Sequence, residues 1–142
     1  MGPPADDPGP APVDRAVLRR LRSRLADTDL VASATLADTG RLHLRVTLAA
    51  DYYPGERTGR LEIRWYRIDD FSIHYRETEA GEVWECRWDR HPNSHNTRDH
   101  FHPPPDATDA TDAEWSPDHR GVCRTVFGFL DERIETLWEQ RY

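Results

Sequence analysis

The sequence contains no lysine. All nineteen basic residues are arginine, set against twenty-six acids, for a formal net charge of −7. A balance this acidic excludes general attraction to nucleic acid or to an anionic membrane. The Lys-free, Asp- and Ala-rich composition resembles that of proteins from salt-loving microbes, where salt screens surface charge. Cysteine is equally scarce: Cys86 and Cys123 lie far apart, form no CxxC pair and fall at positions that read as buried. Reduced core thiols are expected, with no disulfide scaffold and no oxidising compartment. Long apolar runs are missing too. None approaches the roughly 18 residues of a spanning helix, and the Pro-rich start lacks the apolar stretch of a signal peptide. These absences predict a cytoplasmic protein without a membrane segment. At 142 residues the chain is long enough for one domain with a real core.

Residues 1–12 hold five of the eleven prolines and almost nothing that packs, and are expected to form a disordered arm. Residues 13–142 then form one domain. A helix is predicted over 13–26, where Val17, Leu18, Leu21 and Leu25 make one apolar stripe among arginines. Residues 30–37 and 41–49 read as a hairpin closed by Asp38-Thr39-Gly40, with His43 on the exposed side of its second strand. Residues 61–67 form a further strand. After Pro103, the run 106–112 reads as a flexible acidic linker inside the domain. Ser116 and Pro117 then supply a cap and a first position for a C-terminal helix. Its apolar stripe is Val122, Val126, Phe127, Leu130, Ile134, Leu137 and Trp138.

Everything functional depends on residues 70–102. Phe71, Ile73 and Tyr75 alternate with Ser72, His74 and Arg76; Trp84, Cys86 and Trp88 alternate with Glu85, Arg87 and Asp89. That period of two marks a sheet buried on one face. Matching like faces across the turn at Gly81 sets Tyr75 opposite Cys86 and Ile73 opposite Trp88, and a one-residue slip would mix the faces. Matching the strand at 61–67 in the same way allows Trp65 opposite Ile73 and Ile63 opposite Tyr75. Arg64, His74 and Arg87 would then share one polar row. Two arginines flanking a histidine are unfavourable there unless an anion sits between them.

Residues 86–102 carry four of the seven histidines, His91, His95, His100 and His102, together with Arg87, Arg90 and Arg98. Residues 98–102 suit a short edge strand, on which His100 and His102 face the same way. Imidazoles at this density could hold zinc or a similar ion, but their spacing matches no compact motif and no cysteine assists. A metal-free arrangement fits as well. Cleavage of RNA through its 2′-hydroxyl needs a base, an acid and cations on the phosphate. Histidine can fill both proton roles and arginine grips phosphate.

The quoted strands, with His91-Pro92-Asn93-Ser94-His95 and His100-Phe101-His102-Pro103, resemble the TumE family, small toxins of toxin–antitoxin pairs. The resemblance spans about residues 61–104 and implies an antitoxin partner of helix-turn-helix type, with RNA as the target. The reading taken forward is an α+β domain: an antiparallel sheet of about five or six strands with the N- and C-terminal helices on one face. On it sits a metal-independent ribonuclease toxin. His74, Arg87, Asp89, His100 and His102 are the catalytic candidates, and Arg64, His91, His95 and Arg98 the phosphate-binding ones. No cofactor and no metal is assigned. The alternative is a non-enzymatic binding module that uses the same His/Arg face for a protein or an anionic ligand.

Overall fold

The computed structural model describes residues 12–91 and 98–141, so residues 1–11 of the expected arm and His95 lie outside the described residues, while Pro12, the arm's last residue, accepts from the Arg67 N–H at 2.9 Å. The elements are α1 (Arg15–Ala26), β1 (Val31–Ala37), β2 (His43–Leu48), β3 (Thr58–Trp65), β4 (Phe71–Glu79), β5 (Glu82–Arg90), β6 (Asp99–His102), β7 (Thr111–Asp112) and α2 (His119–Arg141). The strands form one antiparallel sheet in chain order, β1 to β7. Seven strands among the described residues replace the expected five or six. The extra one is β7, two residues at the end of the acidic stretch read as a linker, which pair His100 with Asp112 and Phe101 with Thr111. Periodicity cannot reveal so short a strand, because backbone bonds alone define it.

One face of the sheet is apolar, and both helices lie on it. β3 presents Leu61, Ile63 and Trp65; β4 presents Phe71, Ile73 and Tyr75; β5 presents Cys86 and Trp88, all buried. Helix α1 adds Val17, Leu18, Leu21 and Leu25, and α2 adds Val122, Val126, Leu130, Ile134 and Leu137, all in the same core cluster. Phe129 of α2 reaches the rings of Trp84, Trp88 and Phe101. Asp14 caps α1 by accepting from the Val17 N–H at 3.1 Å. Helix α2 starts two residues after the expected point. Its first-turn acceptor is Asp118, bonded by the Arg120 N–H at 3.1 Å, while Ser116 accepts instead from the Asp118 N–H. Both cysteines are free and buried, and burial pushes the thiols up, to about 12 for Cys86 and about 11 for Cys123. They are inert core thiols.

The β4–β5 pairing is the expected one, with Tyr75 opposite Cys86 and Ile73 opposite Trp88. Its turn uses positive φ at both Ala80 (51°) and Gly81 (83°), the geometry that matches the twist of a two-residue hairpin. The β3–β4 pairing differs from expectation by two residues. Ile63 opposes Ile73, Trp65 opposes Phe71 and Leu61 opposes Tyr75. Both registers bury the same side chains, so the turn decides. Tyr66 N–H donates to the Asp70 carbonyl at 2.9 Å, Asp69 takes φ 61°, and the Trp65 indole donates to the Asp69 carboxylate. The Trp65 and Phe71 rings stack at 4.8 Å, which the alternative pairing would separate. His43 is a second correction: it is 3% exposed rather than on the surface. Its ring folds back so that Nδ1 meets the Arg41 carbonyl at 2.9 Å and Nε2 lies 3.6 Å from Glu62 on β3.

Two polar groups fasten the layers. Glu77 sits on the apolar face with no exposure and accepts from Arg57, from Tyr75 and twice from Arg133 of α2. Replacing Glu77 by Ala removes the carboxylate that Arg133, Arg57 and the Tyr75 hydroxyl share, leaving, among the described residues, the Tyr75 hydroxyl only Tyr53 and Arg57 only Glu79, and should cost about 3–5 kcal/mol in urea unfolding; a loss under about 1 kcal/mol would show that the network does not anchor α2. At the other end Asp99 bonds Arg90 at 2.7 Å and the Trp115 N–H at 2.7 Å, and Arg90 reaches the carbonyls of Trp115 and Ser116. Burial alone would raise the Asp99 carboxyl, but the Arg90 and Trp115 bonds and the charges of Arg90 and Arg98 outweigh it and hold it below its ordinary 3.8. A depressed carboxyl stabilises the fold above its unfolded value and loses that contribution as pH falls through its folded value. Asp99→Asn should therefore unfold more easily than the parent near neutrality, with the gap closing as thermal melts are taken toward about pH 2. An unchanged gap across that range would contradict the assignment.

Candidate functional site

The face opposite the helices carries the polar side chains in cross-strand rows. One row runs Arg45, Glu62, His74, Arg87 and His102 across β2 to β6. The next runs Arg64, Ser72, Asp89, His100 and Asp112 across β3 to β7. The expected row of Arg64, His74 and Arg87 is therefore not formed. The two-residue shift of β3 gives His74 a glutamate neighbour on one side and Arg87 on the other, and moves Arg64 into the row of Asp89.

Asp89 is the centre of the second row and is 5% exposed. Its Oδ2 meets His102 Nε2 at 2.9 Å and accepts from Arg87 Nε at 3.2 Å. Its Oδ1 has His91 Nε2 and His100 Nδ1 each at 3.7 Å, too far for hydrogen bonds. The β-sheet brings these groups together without any loop rearrangement. Asp89 and His100 are cross-strand partners, His91 directly follows β5 two residues after Asp89, and His102 pairs with Arg87. Trp115 clamps the strand pair by donating its indole N–H to the carbonyls of both Asp89 and His100 at 3.2 Å.

His102 Nε2 has both an acceptor and a donor within reach, with Arg87 Nη2 at 3.2 Å from the same guanidinium that bonds Asp89 Oδ2. When that nitrogen carries a proton it can donate to Asp89; when it does not, it can accept from Arg87. Nε2 thus has a partner whether or not it carries a proton, a useful property for an atom that must both take and give one, while Nδ1 is buried without a hydrogen-bond partner among the described residues. His74 is one strand away, with Nε2 3.3 Å from Glu85, and its side chain is 30% exposed. Arg87 lies between the two histidines and is 39% exposed in its side chain.

The other sequence candidates sit apart. Arg64 is tied to Glu62 at 2.6 Å, which helps hold the Glu62 carboxyl down against the opposing effect of its partial burial. Arg98 is paired with the buried Asp70. Three participants escaped sequence reasoning. Asp112 comes to 4.0 Å from His100 Nε2 from a strand that only the backbone reveals. Glu85 faces His74 because residues diagonal on one face are within reach of long side chains. Trp115 acts through a remote loop, for which no periodic signal exists.

Among the described residues no helix is long and apolar enough to cross a membrane. No curated protein and no solved structure matches the chain. A family model described as Toxin TumE matches residues 14–134, from the cap of α1 to Ile134 within α2 and across the whole polar face. The match takes in α1, every strand and the larger part of α2: the chain belongs to the TumE family of toxins.

Proposed function

We propose that this toxin component of a toxin–antitoxin pair is a metal-independent endoribonuclease whose active surface is the row His74, Arg87 and His102. The observation that carries the proposal is that order on three adjacent strands, with a guanidinium between two imidazoles. Two strand spacings put the histidine backbones roughly 10 Å apart. A phosphodiester held on Arg87 then has one imidazole on each side. Attack of the 2′-hydroxyl on phosphorus with departure of the 5′-oxygen needs a base on one side and an acid on the other. Asp89 orients His102, and Glu85 orients His74. Arg87 supplies the charge-assisted contact to the phosphate, and Arg64, two strands away in the adjacent row, would join it only by giving up its pairing with Glu62. The RNA is single-stranded, because a flat sheet face admits splayed nucleotides and not the deep groove of a duplex. The antitoxin, proposed as a helix-turn-helix protein encoded alongside, would silence the toxin by covering this face.

Purified toxin should cleave single-stranded RNA in the presence of chelator and leave the matching DNA intact. His74→Ala and His102→Ala should each slow cleavage by about 10²–10⁴-fold. His74→Ala should leave stability within about 0.5 kcal/mol, since it removes no core volume. Intact RNA in cells arrested by the parent toxin would reject the nuclease and favour capture of a partner on the same face.

A further inference from the structure

We infer that Asp89, His91 and His100 form a binding site for one divalent transition-metal ion of the zinc class, on the side of Asp89 away from His102. The inference is independent of the nuclease reading. One ligand atom from each of the three residues lies within 4.8 Å of the others. The set is two imidazoles and one carboxylate, a donor combination suited to zinc and its neighbours and poorly suited to magnesium or calcium.

A second observation points to a ligand. Among the described residues Asp89 Oδ1 and His100 Nδ1 are buried and find no hydrogen-bond partner, although both side chains are more than nine-tenths buried. Leaving two such atoms unpaired is costly, and native proteins do so rarely without a water, an ion or a function. They face each other at 3.7 Å, and His91 Nε2 approaches the same oxygen at 3.7 Å. Donors bound tetrahedrally at about 2.0–2.2 Å lie roughly 3.3–3.6 Å from one another. Closing the site therefore needs shifts of only a few tenths of an ångström on the Asp89 edges. The widest edge can be closed by His91, whose side chain is 49% exposed and whose ring stacks on His100 at 5.1 Å. On the far side of the His100 ring, Nε2 faces the exposed Asp112 at 4.0 Å, beyond hydrogen-bond distance, so Asp112 would have to close in to serve as an outer carboxylate. Asp89 Oδ2 remains with His102 and Arg87. The ion and the proton-transfer pair thus use different oxygens of one carboxylate. Three protein ligands leave a coordination position for water.

The full chain, freed of any affinity tag, should bind zinc chloride with one-to-one stoichiometry in calorimetric titration. It should also take up cobalt(II) with the visible absorption of a four-coordinate ion. His91→Ala and His100→Ala should each weaken zinc binding by at least the roughly tenfold that outer-shell changes alone produce, while His119→Ala, at a distant histidine, should not. Because His91 is exposed, its replacement keeps the test valid even if His100→Ala fails to fold. No saturable binding by the folded parent, or binding unaltered by His91→Ala, would overturn the site.

Discussion

Every chemically interesting side chain of this protein is positioned by a hydrophobic constraint on the other side of the sheet. Burial of Leu61, Ile63, Trp65, Phe71, Ile73, Tyr75, Cys86 and Trp88 beneath two helices forces one face of β3 to β5 inward. The alternate residues, Glu62, Arg64, His74, Arg87 and Asp89, then have no choice of side. A face of this kind presents its groups directly from the strands. Two buried ionic clusters complete the packing: Glu77 joins β4 to α2, and Arg90 with Asp99 joins β5 and β6 to the loop that precedes α2.

The corrected β3–β4 register changes the chemical argument as well as the geometry. Two arginines flanking a histidine would have implied an anion by electrostatic necessity. The observed row instead sets an acid beside the histidine, Glu62, His74, Arg87, and ends in a histidine backed by a buried carboxylate. Such a row is stable on its own and still offers one half-exposed guanidinium between two imidazoles. Phosphate binding is therefore a capacity of the surface and not a requirement of its folding. This suits a toxin that must persist both free and covered by an antitoxin.

Much of this was legible in the sequence, for reasons that differ by element. The β4–β5 hairpin could be read down to its register, because face matching and a Gly81 turn point to the same answer. The β3–β4 register could not, because a shift of two residues preserves both faces and only the Asp69 turn and the Trp65–Phe71 stack break the tie. β7 was hidden because two residues carry no period, and with it went Asp112. His43 alternates with apolar residues as an exposed strand residue would, yet a bond to the carbonyl of Arg41 draws it under cover. The gathering of His91, His100 and His102 around Asp89 follows from two strands that the sequence indicated. The double use of that carboxylate's oxygens does not, since it depends on distances of tenths of an ångström.

The central claim is that the polar sheet face, and not the helical side, meets RNA. It is tested most directly by recording imidazole and arginine side-chain resonances while adding a 2′-O-methyl RNA that binds but cannot be cleaved. The account predicts saturable changes at His74, Arg87 and His102, with His119 at the start of α2 and the arginines of α1 unmoved. Changes confined to the arginines of α1, or none at all at concentrations that arrest growth, would contradict it.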